Sequence, residues 1–197
     1  MSHIFTSLFY KTPLNLTALT FALLVSGCES VSDLTSTLNP MSKSIVLECP
    51  VEKILPDANK LTAFKQGGGK DLVDIDHEVA LQEVFLTCYT DADEETRIGK
   101  MKVEVVNSFQ VKRGPANIQK TASIPYFIAV TDQSRNILYR EKFVLLVPFS
   151  GNQTQVLSKN NPVTLILPLT PELTGTSYRI YSGIELTEEQ LLYNRQH

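Results

Sequence analysis

The sequence predicts an all-β fold, an antiparallel β-sandwich of about seven strands with a short C-terminal helix. Three observations support this prediction. Apolar and polar residues alternate in successive runs, most clearly over residues 101–111. Turn-forming sequences separate the runs, as at residues 132–136. The chain also lacks the long helical segments that parallel strands need as crossover connections.

The predicted strands follow one another from residue 45 to residue 184. The first has Ile45, Leu47, Cys49 and Val51 on one face. The others, in chain order, are residues 79–89, 101–111, 124–130, 138–149, 163–169 and 178–184. Because proline cannot donate to a strand ladder, we expect the prolines in these runs at strand ends, edges or bulges: Pro125, Pro148 and Pro168.

An open β-barrel is the alternative architecture. At this level the pattern resembles immunoglobulin-like sandwiches. The chain has no tryptophan, however, and the spacing of Cys49 and Cys88 is shorter than that of the disulfide bond between the sheets of that family.

Two segments have helical character. Residues 57–64 are expected to form a short helix after a proline, and residues 187–194 form a better helix. Thr187 can cap the second helix, and Gln190 follows three residues later, as in a capping box. We expect this helix to dock on its own domain; a helix that binds a partner is the alternative.

The N-terminal segment has the organisation of a bacterial export signal. One basic side chain, Lys11, precedes an apolar run at residues 14–25 that is too short to span a bilayer. The run ends at Val25-Ser26-Gly27-Cys28, which resembles the lipobox of bacterial lipoproteins. The resemblance implies a signal peptide over residues 1–27 and lipidation of Cys28, with a diacylglyceryl group on sulfur and a fatty acid such as palmitate on the new amino group. An ordinary signal peptide and an N-terminal membrane helix are the alternatives.

A tether is predicted between the lipid and the domain. Residues 28–44 are rich in Ser and Thr and too poor in apolar residues to form a core, so we expect a flexible coil with a reach of roughly 20–25 Å. Partial packing as an edge strand is the alternative. We expect residues 45–197 to form the β-sandwich domain.

The residue after the lipidated cysteine indicates which membrane holds the chain. In the bacterial lipoproteins that the lipobox resembles, an aspartate at this position favours the inner membrane. Glu29 differs from it, so we expect the outer membrane, with the domain facing the periplasm.

The number of cysteines agrees with export to an oxidising compartment. If Cys28 carries lipid, Cys49 and Cys88 remain as a pair in an oxidising compartment, and a disulfide bond between them is predicted. Both lie in apolar runs, so both can be buried. Two buried, reduced thiols are the alternative.

Candidate chemistry is sparse. His77 is the one histidine that could act as a base, and it lies in an acidic cluster with Asp74, Asp76 and Glu78. This cluster could form a hydrolase site or hold a cation, but its spacing does not fit an EF-hand, and we interpret it as a solvated loop. The sequence Gly67-Gly68-Gly69-Lys70 lacks the rest of a phosphate-binding loop and indicates a flexible loop. We therefore expect no catalytic residues, no metal and no cofactor.

Composition narrows the possible partners. The net charge of −3 gives no electrostatic basis for binding nucleic acid.

The sequences YFIAV and LTEEQLLYNR also resemble uncharacterised envelope lipoproteins of Gram-negative bacteria. The leading hypothesis is a non-catalytic interaction module, anchored by lipid, that binds an unknown envelope protein in cell-envelope assembly or maintenance. One alternative is a lipoprotein that binds lipid or a small apolar ligand in a cavity lined by the apolar runs at residues 138–149 and 163–169. The other is a hydrolase.

Overall fold

The computed structural model describes residues 47–196, which form two β-sheets, three short 3₁₀ turns and one helix. The strands are β1 (Val51–Ile54), β2 (Lys60–Phe64), β3 (Ile75–Ala92), β4 (Gly99–Arg113), β5 (Thr121–Thr131), β6 (Ile137–Pro148), β7 (Gln155–Lys159), β8 (Val163–Leu169) and β9 (Arg179–Ile184). The helix, α1, spans Glu188–Gln196. The predicted signal peptide, Cys28 and the tether lie outside the described residues. No helix within residues 47–196 is long and apolar enough to cross a membrane.

Strand pairing confirms the predicted all-β, sandwich-like class. Sheet A has the order β1-β9-β5-β6, and all its pairs are antiparallel except β1 with β9. Sheet B has the order β2-β3-β4, with β7 and β8 end to end along the far side of β4. The nine strands exceed the seven predicted because β2 and β7 were not foreseen.

The prediction of a helix at residues 57–64 was wrong. Only Pro56–Ala58 makes a single 3₁₀ turn, and the rest of the segment is strand β2. Leu61 lies opposite Val79 of β3 and is buried, so long-range pairing with β3 outweighs the local helical preference. The first predicted strand was also misplaced, because Pro50 precedes β1 and residues 47–50 have no strand structure.

The core fills the space between the sheets. The side chains of Met101, Val103 and Val105 on β4 are fully buried. An aromatic stack joins the two sheets: the ring of Phe109 lies 5.4 Å from that of Tyr126, which lies 5.2 Å from that of Phe143. The alternation seen in the sequence therefore corresponds to inward and outward faces.

The prolines occupy the expected places, with one exception. Pro148 ends β6, and Pro168 lies in the outer strand β8. Pro125 lies inside the central strand β5, but it is beyond the last residue of β9 in the β5–β9 ladder. Its missing N–H therefore costs no bond within that ladder.

The Cys49–Cys88 disulfide bond is confirmed. It joins the segment before β1, at the edge of sheet A, to β3 of sheet B. The expectation that both cysteines are buried was wrong: Cys49 is exposed, and Cys88 is only partly buried.

The C-terminal helix docks on its own domain, as expected. The amide of Thr187 donates to Oε1 of Gln190 (2.9 Å), and the amide of Gln190 donates to Oγ1 of Thr187 (3.2 Å). These two bonds form the predicted capping box. The guanidinium of Arg195 pairs with Asp57 at 2.5 Å, which fixes the far end of the helix beside the turn before β2.

Candidate interaction surface

The histidine in the acidic cluster faces the interior. The residues that flank His77 on its side of β3, Ile75 and Val79, are buried core residues, and His77 itself is only 7% exposed. Its Nδ1 lies 2.6 Å from Oδ2 of Asp76, which also accepts a hydrogen bond of 3.1 Å from Asn117. Glu78 points to the opposite, exposed face. The interpretation of this cluster as a solvated loop was therefore wrong: β3 directs His77 inward and Glu78 outward, and Asp74, in the turn before β3, is buried.

The other acidic residue of the cluster has a structural partner. Oδ1 of Asp74 lies 2.6 Å from the ammonium of Lys65. This hydrogen bond, aided by the charge of Lys65, holds the pKa of Asp74 below its ordinary value of 3.8. Among residues 47–196, no three His, Cys, Asp or Glu side chains are grouped so that they could hold a metal ion.

The glycine-rich loop connects β2 to the turn before β3. Gly67 has a positive φ of 72°, which glycine adopts readily. Lys70 pairs with Glu189 in the first turn of α1 at 2.5 Å. The loop therefore contacts the C-terminal helix.

The edges of the two sheets differ in how they are protected. An uncovered edge exposes backbone N–H and C=O groups that can pair with another chain. Strand β1 is only four residues long and runs parallel to β9. Strand β2 is covered by α1: the side-chain Nδ2 of Asn194 donates to the backbone carbonyl of Lys60 at 2.8 Å, and Tyr193 packs edge-on against Phe64.

The edge formed by β7 and β8 is interrupted. Between the two strands, Asn160 takes the place of a strand partner: its side-chain oxygen accepts a 2.6 Å hydrogen bond from the amide of Asn107. Pro168 has no N–H to offer, and its carbonyl accepts a 2.7 Å hydrogen bond from the hydroxyl of Tyr178. These features protect the edge against pairing.

Strand β6 is the open edge. It is 12 residues long, it pairs only with β5 among the described strands, and its one proline is its last residue. Its outward-facing side chains include Val144 and Leu146, each 65% exposed. We call the outer edge of Ile137–Pro148 the β6 edge.

The pairing of β5 shows which backbone groups of the β6 edge are free. The carbonyl of Pro125 accepts a 2.9 Å hydrogen bond from the amide of Glu185, on the β9 side of β5. In an antiparallel ladder both backbone groups of a residue point to the same neighbouring strand, and successive residues alternate. Tyr126 therefore faces β6, and its backbone groups bond to those of its partner Phe143. Every second residue of β6, counted from Phe143, also bonds to β5. The residues of β6 that alternate with these direct their N–H and C=O groups to the open edge: Arg140, Lys142, Val144 and Leu146.

An apolar groove of about 650 Å³ lies beside the start of the β6 edge. Its walls come from the end of β5, the start of β6, strand β8 and the 3₁₀ turn before β9. Its lining includes Leu138, Tyr139, Ile166 and Leu173. Leu138, Ile166 and Leu173 are between 42% and 57% exposed, so the apolar surface is open to solvent.

Polar groups around the groove are engaged within the domain. Asp132 accepts hydrogen bonds from the side chain and backbone of Asn136 at 2.7 and 2.8 Å, and these bonds hold its pKa below the ordinary value. The hydroxyl of Tyr139 donates to Glu141, a bond that raises the pKa of the phenol. The groove is therefore suited to apolar groups.

Two basic side chains on the outer face of β6 pair with the same carboxylate. Glu185 lies 2.6 Å from Lys142 and 2.5 Å from Arg140. Burial raises the pKa of Glu185, but the hydrogen bond from Lys142 and the charge of Arg140 outweigh it, so the pKa lies below its ordinary value. Arg140 also covers the ring of Phe127 at 4.4 Å.

No protein family, curated protein or solved structure matches the chain.

The sequence predicted the strands that form this surface but not the surface itself. Residues 138–149 and 163–169 appeared apolar enough to line a ligand cavity. In the structure, parts of both runs line the groove, which lies beside strand edges rather than inside the core. Alternating residues indicate a strand, but the alternation is the same whether the strand lies at an edge or in the centre of a sheet.

Proposed function

We propose that the chain is a membrane-anchored envelope lipoprotein, and that its β domain is a non-catalytic interaction module for an envelope protein in cell-envelope assembly or maintenance. The observation that carries this proposal is the β6 edge, a long strand with free backbone groups beside an apolar groove. Strand addition to such an edge is a common mode of peptide recognition.

The anchor in this proposal is lipid on Cys28. The sequence Val25-Ser26-Gly27-Cys28 after an apolar run supports it. Several acyl chains, each contributing about 0.8 kcal/mol per buried methylene, would hold the chain on the membrane. Residues 28–44 would then let the domain, on the periplasmic side of the outer membrane, meet a partner within roughly 20–25 Å.

A second candidate function is the binding of lipid or a small apolar ligand. The groove favours it, because 650 Å³ lies within the range of about 300–1,000 Å³ for ligand pockets and its lining is mainly apolar.

In-cell photocrosslinking tests the leading proposal. The full chain carries a photoreactive amino acid at Leu146 on the β6 edge, or at Thr87 on the outer face of sheet B as a matched exposed control. We expect the Leu146 site to give a discrete adduct with one envelope protein in the membrane fraction, identified by mass spectrometry, and the Thr87 site to give none. A Cys28→Ala variant should leave the membrane fraction and lose the adduct. Equal labelling from both sites, or no adduct at all, would contradict the proposal.

A further inference from the structure

We infer that the β6 edge binds an extended peptide segment with alternating apolar side chains and a lysine or arginine near its middle. This inference rests on the proposed function and specifies the partner's chemistry. It comes from three features of the described residues: the free backbone groups of β6, the apolar groove and the position of Glu141.

The backbone groups favour a peptide over a hydrocarbon chain. A lipid tail laid along β6 would remove water from the N–H and C=O groups of Val144 and Leu146 without replacing their hydrogen bonds. An unsatisfied buried polar group costs roughly 1–3 kcal/mol. An extended peptide supplies one donor and one acceptor at every second residue, so it satisfies these groups as it covers them.

The groove determines where the apolar side chains go. A strand added to β6 continues sheet A, and every second side chain points to the inner face, the side that carries Phe143 and Leu145. Near the start of β6 these side chains would reach the groove between Tyr139 and Ile166. Apolar residues at alternate positions would therefore be buried there.

Glu141 determines the charge of the peptide. It lies opposite Ile128, which is fully buried, so Glu141 points to the same inner face. Its side chain accepts a hydrogen bond from Tyr139 but forms no ion pair with a described residue. A basic side chain on the added strand beside Glu141 would supply the missing positive charge, whereas Arg140 and Lys142 already have Glu185.

The position of Glu141 also argues against a second copy of this chain as the strand that pairs with the β6 edge. If two copies of β6 paired antiparallel, inner-face residues would lie beside inner-face residues. The inner face of β6 carries Glu141 but no basic residue, so Glu141 would lie beside an apolar side chain, Tyr139 or the other Glu141. Like charges directly opposite each other destabilise a strand pair.

The test measures binding of synthetic peptides to the purified full chain in detergent by fluorescence anisotropy. The probe is a labelled nonapeptide that alternates valine and threonine, with lysine at its centre, and its twin has glutamate there. We expect the lysine peptide to bind more tightly. Val144→Pro, which removes a free N–H without breaking the bonds to β5, should weaken binding about tenfold. Val144→Thr, which keeps the N–H, should change binding less than about threefold.

A charge reversal supplies the second arm of the test. Glu141→Lys should reverse the preference, so that the glutamate peptide binds more tightly. Glu83→Lys, the same change in charge on the exposed outer face of sheet B, should leave the preference unchanged. This arm remains decisive if Val144→Pro unfolds the domain.

Several results would overturn the inference. One is binding that neither Val144→Pro nor Glu141→Lys affects. Displacement of the peptide by a fatty acid would assign the surface to an apolar ligand, and a dimer of the full chain that Val144→Pro dissociates would assign it to a second copy. A last result would refute this peptide chemistry and leave the proposed function standing: neither peptide binds, but photocrosslinking at Leu146 still captures an envelope protein.

Discussion

Removal of the Cys49–Cys88 disulfide bond should destabilise the domain by about 4 kcal/mol. The bond joins cysteines 39 residues apart. Without it, the unfolded chain regains the conformational entropy of a loop of that length, and the chain-entropy model then gives a loss of about 4 kcal/mol in the free energy of unfolding. Exposed Cys49 also makes the bond accessible to reductant. For a domain of this size, the loss corresponds to a fall in Tm of about 10 °C.

Urea unfolding of the oxidised chain and of the Cys49→Ala, Cys88→Ala double variant measures the effect. The wild-type chain in reductant is the control, and its unfolding midpoint should match that of the double variant. A loss below about 1 kcal/mol with an unchanged m value would refute the argument. Detection of two free thiols in the oxidised, folded chain would do the same.

Three further predictions concern the core, the acidic cluster and the helix. Phe109→Ala removes a fully buried ring from the aromatic stack and should cost about 3–5 kcal/mol in urea unfolding; a cost near zero would mean that the ring is not in the core. The pKa of Asp74 is lowered on folding, chiefly by its hydrogen bond from Lys65, so the stability from this pair is present above pH 3.8 and is lost as the pH falls further. Below that pH, the free energy of unfolding of Asp74→Asn should therefore fall less steeply than that of the wild-type chain. An identical fall in the two chains would show that the Lys65–Asp74 pair does not stabilise the fold. Thr187→Ala should destabilise α1 by about 1 kcal/mol through loss of the bond to the Gln190 amide, seen as faster hydrogen exchange in the helix alone; unchanged exchange would show that the cap has no effect.

Local patterns were sufficient to predict the fold class. Strand β4 alternates so regularly because its inner side chains face the core and its outer ones face solvent. The capping box of α1 was readable because Thr187 and Gln190 interact within one turn. The disulfide bond followed from the even number of remaining cysteines.

Long-range pairing determined the features that the sequence did not predict. Strand β2 follows a short turn that has a helical sequence, and only its ladder with β3 makes it a strand. Edge and centre positions depend on which strands meet in space, so the open β6 edge was not predictable from its alternation. The sequence grouped His77 with Asp76 in a solvated loop, whereas His77 is buried in strand β3 and contacts Asp76, because its burial depends on the face of β3 on which it lies.

The intact mass of the mature chain, purified from the membranes of a Gram-negative host, tests the central claim most directly. The account predicts a polypeptide that begins at Cys28 and carries the added mass of a diacylglyceryl group and a fatty acid. A chain that still begins at Met1, or a Cys28 with an unmodified thiol, would contradict the account of how this domain reaches its partner.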